Sequence, residues 1–231
     1  MPYRVGPEAT QKGSHMDQNT QWRRRLDETL DRLSAQLRAD LYDNVVVEVV
    51  RDWFSSWDSL ADLNTRIRTK LSEQSPLVER KVKSALGEFE SSLKADLQAA
   101  ATDSPKGSID LAGAEEQISA RIADIIGVIV TVVGATLAGG GGTALLASGP
   151  VGWIIGLIGA AVVYVLGRGV IKNMIEIQIQ TMSLPPFLKR SAKSKVATEL
   201  SLNAGKFEAE IHSLLREKCE PLYRAIHEIN V

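Results

Sequence analysis

Cysteine is almost absent from this sequence, and so is any excess of charge of either sign. One cysteine, Cys219, occurs among 231 residues, which excludes an intramolecular disulfide framework and fits a reducing compartment. The formal net charge is −1, so electrostatics give no argument for a nucleic-acid partner. Residues 1–19 are polar and lack the apolar core of a secretory signal. Any membrane contact must therefore come from another part of the chain.

Residues that could form a catalytic or metal site are equally sparse. The three histidines, His15, His212 and His227, are scattered and lack the spacing of metal ligands. Cys219 has no nearby arrangement of bases that would activate its thiol. The glycine run Gly139–Gly142 lacks the lysine that a phosphate-binding loop requires. We therefore expect no enzymatic activity, no catalytic or metal-binding residue and no cofactor.

One long stretch of the sequence contains no charged side chain: the 43 residues from Ile125 to Gly167. This run consists of two apolar limbs, IIGVIVTVVGATLA and VGWIIGLIGAAVVYVLG, joined by the glycine-rich tip GGGGTALLASGP. A limb of roughly 17 residues would form a helix of about 25 Å, slightly short of the ~30 Å hydrocarbon core of a bilayer. The pattern predicts an apolar helical hairpin over 122–167 that spans a membrane, dips into it or stays covered.

Two sets of residues in this hairpin have predicted roles: one packs the two limbs together, and the other contacts the membrane. Small residues allow two helices to approach closely, which favours their packing in lipid. The residues predicted to pack the two limbs together are Gly127, Gly134, Gly152, Gly156 and Gly159. The side chains predicted to contact the membrane are Val133, Leu137, Leu145, Leu146, Val151, Trp153, Ile154, Ile155, Leu157 and Ile158.

Basic residues follow the hairpin and suit the headgroups of anionic lipids. The residues predicted to contact headgroups are Arg168, Lys172, Lys189 and Arg190. Lys193 and Lys195 continue the second half of this basic cluster. The alternative is that the cluster is simply the solvated start of a helix.

Outside the hairpin, apolar residues recur at helical spacing among charged ones. We predict helices over 21–40, 58–72 and 76–100, with Ser75 as the cap of the third and a linker at 102–108. A further helix runs from residue 109 into the hairpin, and the last one carries a kink or break at Pro221. Residues 42–57 are rich in valine, which favours a strand, but their apolar spacing and helical neighbours favour a helix.

The predicted fold class is all-α: an elongated helical bundle with a central apolar helical hairpin. Residues 1–20 form a disordered segment or tag, and residues 21–108 form the amphipathic bundle. Residues 109–183 form the whole helical hairpin, of which 122–167 is the apolar part, and residues 184–231 form a C-terminal helix that returns to the bundle. The apolar stripe from Trp22 to Leu41 suits either a coiled-coil face or an ordinary bundle helix. Trp53, Phe54 and Trp57 suit either an interfacial membrane anchor or a cluster of core aromatics.

The segment GGGGTALLASGPVGWIIGLIGA, with charged amphipathic helices before it and a basic helix after it, resembles the C-terminal helical region of bacterial dynamin-like proteins. In that family a long helical stalk ends in an apolar paddle that touches or enters the membrane. The resemblance covers about residues 76–225, and only Leu137–Ala160 corresponds to the paddle. This chain departs from the family because it has no GTPase domain. The resemblance therefore implies either a stalk-and-paddle fragment or a stand-alone relative that acts with a separate GTPase, at the cytoplasmic face of a bacterial inner membrane.

Three functional hypotheses fit these patterns. The first is a membrane-associated helical module that binds or inserts into bilayers through the hairpin, with a GTPase and further copies of the chain as candidate partners. The second is a pore-forming toxin or effector domain whose buried hairpin inserts from a soluble bundle. The third is a soluble scaffold without lipid contact. We favour the first, because such a long charge-free run is unusual in a soluble chain of this size.

Overall fold

A computed structural model describes residues 8–56, 60–103, 111–138 and 186–229 of the chain. These residues form helices and no strand, which confirms the predicted all-α bundle. The helices are α1 (Glu8–Leu37), a π-helix (Arg38–Val46), α2 (Val47–Ser56), α3 (Leu60–Ser72), α4 (Ser75–Asp103), α5 (Leu111–Ala138) and α6 (Pro186–Glu228). Helix α1 begins inside the segment 1–20, which we expected to be disordered or a tag.

The apolar stripes read from the sequence are the core of the molecule. The buried stripe residues on α1, α4, α5 and α6 include Trp22, Leu26, Leu30, Leu33, Leu37, Val78, Val82, Leu86, Phe89, Leu93, Leu97, Ile118, Ile122, Ile125, Ile129, Val196, Leu200, Phe207, Ile211, Leu215 and Leu222. Each such side chain contributes about 1.5–3 kcal/mol when it is fully buried. Burial of these stripes therefore accounts for the helices better than local propensity does.

The chain divides into two compact units. The first unit comprises Met1–Leu33, Glu79–Ile129 and His212–Val231, and the second comprises Ser34–Val78 and Val130–Ile211. In the first unit, polar contacts link neighbouring helices around the apolar core. The indole Nε1 of Trp22 donates a hydrogen bond to Asp96 on α4 at 2.9 Å, and the Tyr223 hydroxyl on α6 donates to Asp27 on α1. The Ser119 hydroxyl on α5 donates to Glu90 on α4 at 2.7 Å.

The second unit is built around the π-helix and the part of α6 that precedes His212. The Tyr42 hydroxyl donates a hydrogen bond to the backbone carbonyl of Leu200 at 2.6 Å, and its ring lies 5.2 Å from that of Phe207. Arg38 pairs with Glu208 at 3.1 Å. Trp53 and Phe54 are buried against each other in an edge-to-face arrangement, 4.9 Å between ring centroids. For these two residues the core alternative is right, and they are not exposed as a membrane anchor.

Two details of the predicted helices differ in the structure: the cap of α4 and the effect of Pro221 on α6. The carbonyl of Gln74 accepts a hydrogen bond from the Val78 amide at 3.0 Å, so Gln74 rather than Ser75 holds the capping position of α4. Helix α6 continues through Pro221, so a break there is wrong. Pro221 and Glu217, whose carbonyl loses its helical donor, are both exposed, and water can satisfy that carbonyl.

Candidate membrane-binding segment

Helix α5 runs without interruption from the charged body into the charge-free segment. Its last charged residue is Asp124, and the helix continues to Ala138, 14 residues further on. The prediction of one continuous helix is therefore confirmed as far as Ala138. The tip and the second limb, at 139–167, lie outside the described residues.

The first half of α5 is fixed by contacts with α4. Ser119 donates to Glu90, and Gln98 donates to Glu115 at 3.0 Å. Lys94 also donates to Glu90, and this hydrogen bond lowers the pKa of the carboxyl below its ordinary value. The carboxylate is therefore ionised at neutral pH and accepts both hydrogen bonds. These contacts give the apolar half of α5 a firm helical base.

The exposure of α5 changes along its length. Ile118, Ile122, Ile125 and Ile129 are buried on one side. Val128, on another side, has 46 % of its surface exposed, although it is a large hydrophobic residue. The sequence did not single out Val128, because it lies off the isoleucine stripe. Its position within the uncharged run was the one available signal.

The structure locates six of the residues predicted to act at a membrane. Gly127, Val133, Gly134 and Leu137 lie on α5, and Lys189 and Arg190 lie near the start of α6. Among the described residues, nothing lies within 4 Å of the position that a Cβ on Gly127 would occupy. The predicted packing partners of Gly127 are outside the described ranges: Gly152, Gly156 and Gly159. Also outside them are Leu145, Leu146, Val151, Trp153, Ile154, Ile155, Leu157, Ile158, Arg168 and Lys172.

The basic residues at the start of α6 differ in how they are paired. Lys195 forms an ion pair with Glu199 at 2.9 Å. Arg190 and Lys193 are exposed, and neither forms an ion pair with any residue that the structure describes. Within the described ranges, Arg190 and Lys193 are thus two exposed cations of the kind that suits an anionic ligand. Lys193 was part of the predicted basic cluster but not of the predicted headgroup set.

The described residues offer little to support catalysis. No group of three His, Cys, Asp or Glu residues among them could hold a metal ion. Burial raises the pKa of the Cys219 thiol to about 12, so it is protonated and unreactive at neutral pH. His212 contacts Asp31 at 3.0 Å in a helix-to-helix contact within the first unit.

Within the ranges that the structure describes, each helix is too short or too polar to span a bilayer. Comparisons of the chain with protein-family models, curated proteins and solved structures found no match.

Proposed function

We propose that this chain is a non-enzymatic helical module that binds or inserts into bilayers through its charge-free segment, residues 125–167. One observation supports this most. Helix α5 carries the chain from a charged, well-packed base directly into the apolar run without a change of secondary structure. A stalk that continues into an apolar element is suited to presenting that element to lipid.

The remaining described helices support the proposal by elimination. The stripe from Trp22 to Leu41 is buried within the protein, so its apolar face is not left for a membrane or a coiled-coil partner. Trp53 and Phe54 are buried as well. Where side-chain exposure is described, the large hydrophobic residues that are exposed are Val128 and Leu202, and Val128 belongs to the segment 125–167. Of these two residues, only Val128 continues into a long apolar run, which favours the segment 125–167 as the bilayer contact.

The energetics of insertion set the size of the expected effects. The second limb contains nine Leu, Ile and Val residues, each contributing roughly −0.3 to −0.6 kcal/mol at a membrane centre, about −3 to −5 kcal/mol together. One aspartate costs about 2.5–3.5 kcal/mol at the same depth. A single charge in the inserting part would thus offset most of the gain from one limb.

Vesicle flotation tests the proposal. The wild-type chain is expected to float with vesicles, and the tip variant Ala144→Asp is expected to bind at least about tenfold more weakly if the tip enters the hydrocarbon. Ala209→Asp is the matched control, because Ala209 is an exposed residue of α6. A wild-type chain that stays in the soluble fraction on both anionic and neutral vesicles would refute the proposal. Equal binding by both variants would show that the tip is not the inserting part.

Dye release separates docking from pore formation. A docking module binds vesicles without releasing a small trapped dye, whereas a pore-forming domain releases it. The association with a dynamin-type GTPase at a bacterial inner membrane rests on the sequence resemblance alone. Co-flotation with a candidate GTPase would test that part separately.

A further inference from the structure

The second unit contains a pocket of about 390 Å³ that the membrane proposal does not use. The π-helix and α2 form one wall, and α6 forms the other. Its volume lies in the range of small-molecule sites, about 300–1,000 Å³. The lining residues are Arg38, Tyr42, Asp43, Val47, Val50, Arg51, Phe54, Lys193, Val196, Ala197, Leu200, Ser201 and Ala204.

The interior of the pocket is apolar and held in place. Val50, Phe54, Val196 and Leu200 line it and are themselves buried. Tyr42 fixes the two walls relative to each other, because its hydroxyl donates to the Leu200 carbonyl at 2.6 Å. Both walls belong to the second unit. An apolar ligand therefore meets a largely preformed surface.

The π-helix accounts for the shape of this wall. Its hydrogen bonds join residues five apart, as in the bond from the Val47 amide to the Tyr42 carbonyl. Each π-turn holds more residues than an α-turn, which brings Arg38, Tyr42 and Asp43 to the pocket together with Val47. Helical segments of this kind are rare and often occur at functional sites.

Charge at the pocket is predominantly positive. Arg38 is paired with Asp43 at 2.9 Å and with Glu208 at 3.1 Å, so its charge is compensated. Arg51 and Lys193 are exposed and form no ion pair with any described residue. Acidic residues flank Arg51 along α2, but neither Glu48 nor Asp52 lines the pocket. The lining thus presents an apolar interior with two cations from opposite walls that no described acidic side chain pairs.

We propose that this pocket binds a single-chain anionic amphiphile, with the alkyl chain against Val50, Phe54 and Leu200 and the anionic headgroup between Arg51 and Lys193. The apolar interior excludes a bare anion as the best ligand, because an anion gains nothing from it. The two cations favour an anionic headgroup over a zwitterionic one. None of the lining residues named above belongs to the segment 125–167, so the inference does not depend on whether that segment enters a bilayer.

Three probes separate the parts of the proposed ligand, and the two that carry a dodecyl chain are kept below their critical micelle concentrations. Dodecyl phosphate carries both the chain and the anion, dodecylphosphocholine has the same chain with a zwitterionic headgroup, and inorganic phosphate has no chain. Calorimetry on the full chain is expected to show dodecyl phosphate binding at one site per chain. Dodecylphosphocholine should bind more weakly, and phosphate weakest of all.

Variants locate the site. Ser201→Trp places an indole in the pocket from an exposed position and is expected to abolish binding, whereas Ser213→Trp, at an exposed serine of α6 away from the pocket, should not. Arg51→Glu with Lys193→Glu should weaken dodecyl phosphate binding about tenfold, since each exposed ion pair contributes up to about fivefold. The control pair Arg80→Glu with Lys206→Glu makes the same change in net charge at exposed residues outside the pocket.

Several outcomes would overturn the inference. They are no binding of dodecyl phosphate, equally tight binding of inorganic phosphate, or equal binding by the charge-reversal pair and its control pair. Circular dichroism checks that Ser201→Trp remains folded. If it does not, the charge-reversal pair decides the question alone, because both of its positions are exposed. Flotation of the same variants is an independent result, so failure here leaves the membrane proposal intact.

Discussion

Two glycines inside the long helices should be replaceable with a gain in stability. Gly87 lies within α4 and Gly205 within α6, and nothing lies within 4 Å of the position that a Cβ would take at either residue. Alanine is favoured over glycine in a helix interior by about 0.8–1.0 kcal/mol, because glycine loses more backbone freedom on folding. With no steric cost to subtract, Gly87→Ala and Gly205→Ala should each raise the free energy of unfolding by about 1 kcal/mol.

The two gains should add to about 2 kcal/mol, because the residues lie in different units and share no described contact. Urea denaturation followed by circular dichroism measures this, and each substitution should raise the melting temperature by about 2–4 °C. Ala99→Gly, at an exposed position of α4, is the reciprocal control and should lose about 1 kcal/mol. A loss of stability in either alanine variant would show that these glycines are packed against something, and would refute the reasoning.

Gly127 extends the same test to the predicted packing of the apolar limbs. Its surroundings among the described residues are open, so Gly127→Ala should stabilise α5 in solution by about 1 kcal/mol. If the two limbs pack closely through this glycine in lipid, the added methyl group should weaken vesicle binding. Stabilisation in solution with unchanged vesicle binding would contradict the packing role that the sequence predicts for Gly127.

Further substitutions test the core, with the exposed residue Leu202 as a control. Tyr42→Phe removes the hydrogen bond to the Leu200 carbonyl and should cost about 1–2 kcal/mol in the free energy of unfolding. Ile122→Ala should cost about 2–5 kcal/mol because Ile122 is buried, whereas Leu202→Ala should change stability by less than about 0.5 kcal/mol because Leu202 is 71 % exposed. Burial raises the pKa of Cys219 from 9.0 to about 12, so the folded protein keeps this proton at a pH where the unfolded chain loses it. Stability should therefore fall as the pH rises from about 9 towards 12, and less steeply in Cys219→Ala; equal slopes would contradict this cause.

The helices and their buried faces were predictable because spacings of three and four residues repeat over many turns. The stripes on α4 and α5 illustrate this, since residues at these spacings are buried: Val78, Val82, Leu86, Phe89, Leu93 and Leu97 on α4, and Ile118, Ile122, Ile125 and Ile129 on α5. The helical spacing of the valine-rich stretch also predicted its structure correctly, against the β propensity of valine, because residues 42–56 are helical. A packing face that contacts several neighbouring helices outweighs the preferences of single residues.

The π-helix and the pocket were not predictable by the same means. The apolar positions from Leu33 through Leu37 and Leu41 to Val45 are four apart, and this drift from α-helical spacing was the one local signal of a wider turn. The pocket is formed by residues 38–54 together with residues 193–204. No pattern in either segment predicts that the two pack against each other. Buried Asn203, which donates to the Glu199 carbonyl at 2.7 Å, was missed because asparagine carries no apolar signal.

The depth of the glycine-rich tip in a bilayer tests the membrane proposal most directly. Cys219 is the one native cysteine, so a Cys219→Ala background allows a single environment-sensitive fluorophore at Ala144→Cys or, as a control, at Ala209→Cys. On vesicles, the fluorophore at 144 should shift to shorter wavelength and be quenched by quenchers attached to lipid chains, while the one at 209 should remain in water. Vesicle binding with both fluorophores equally exposed to water would contradict the account.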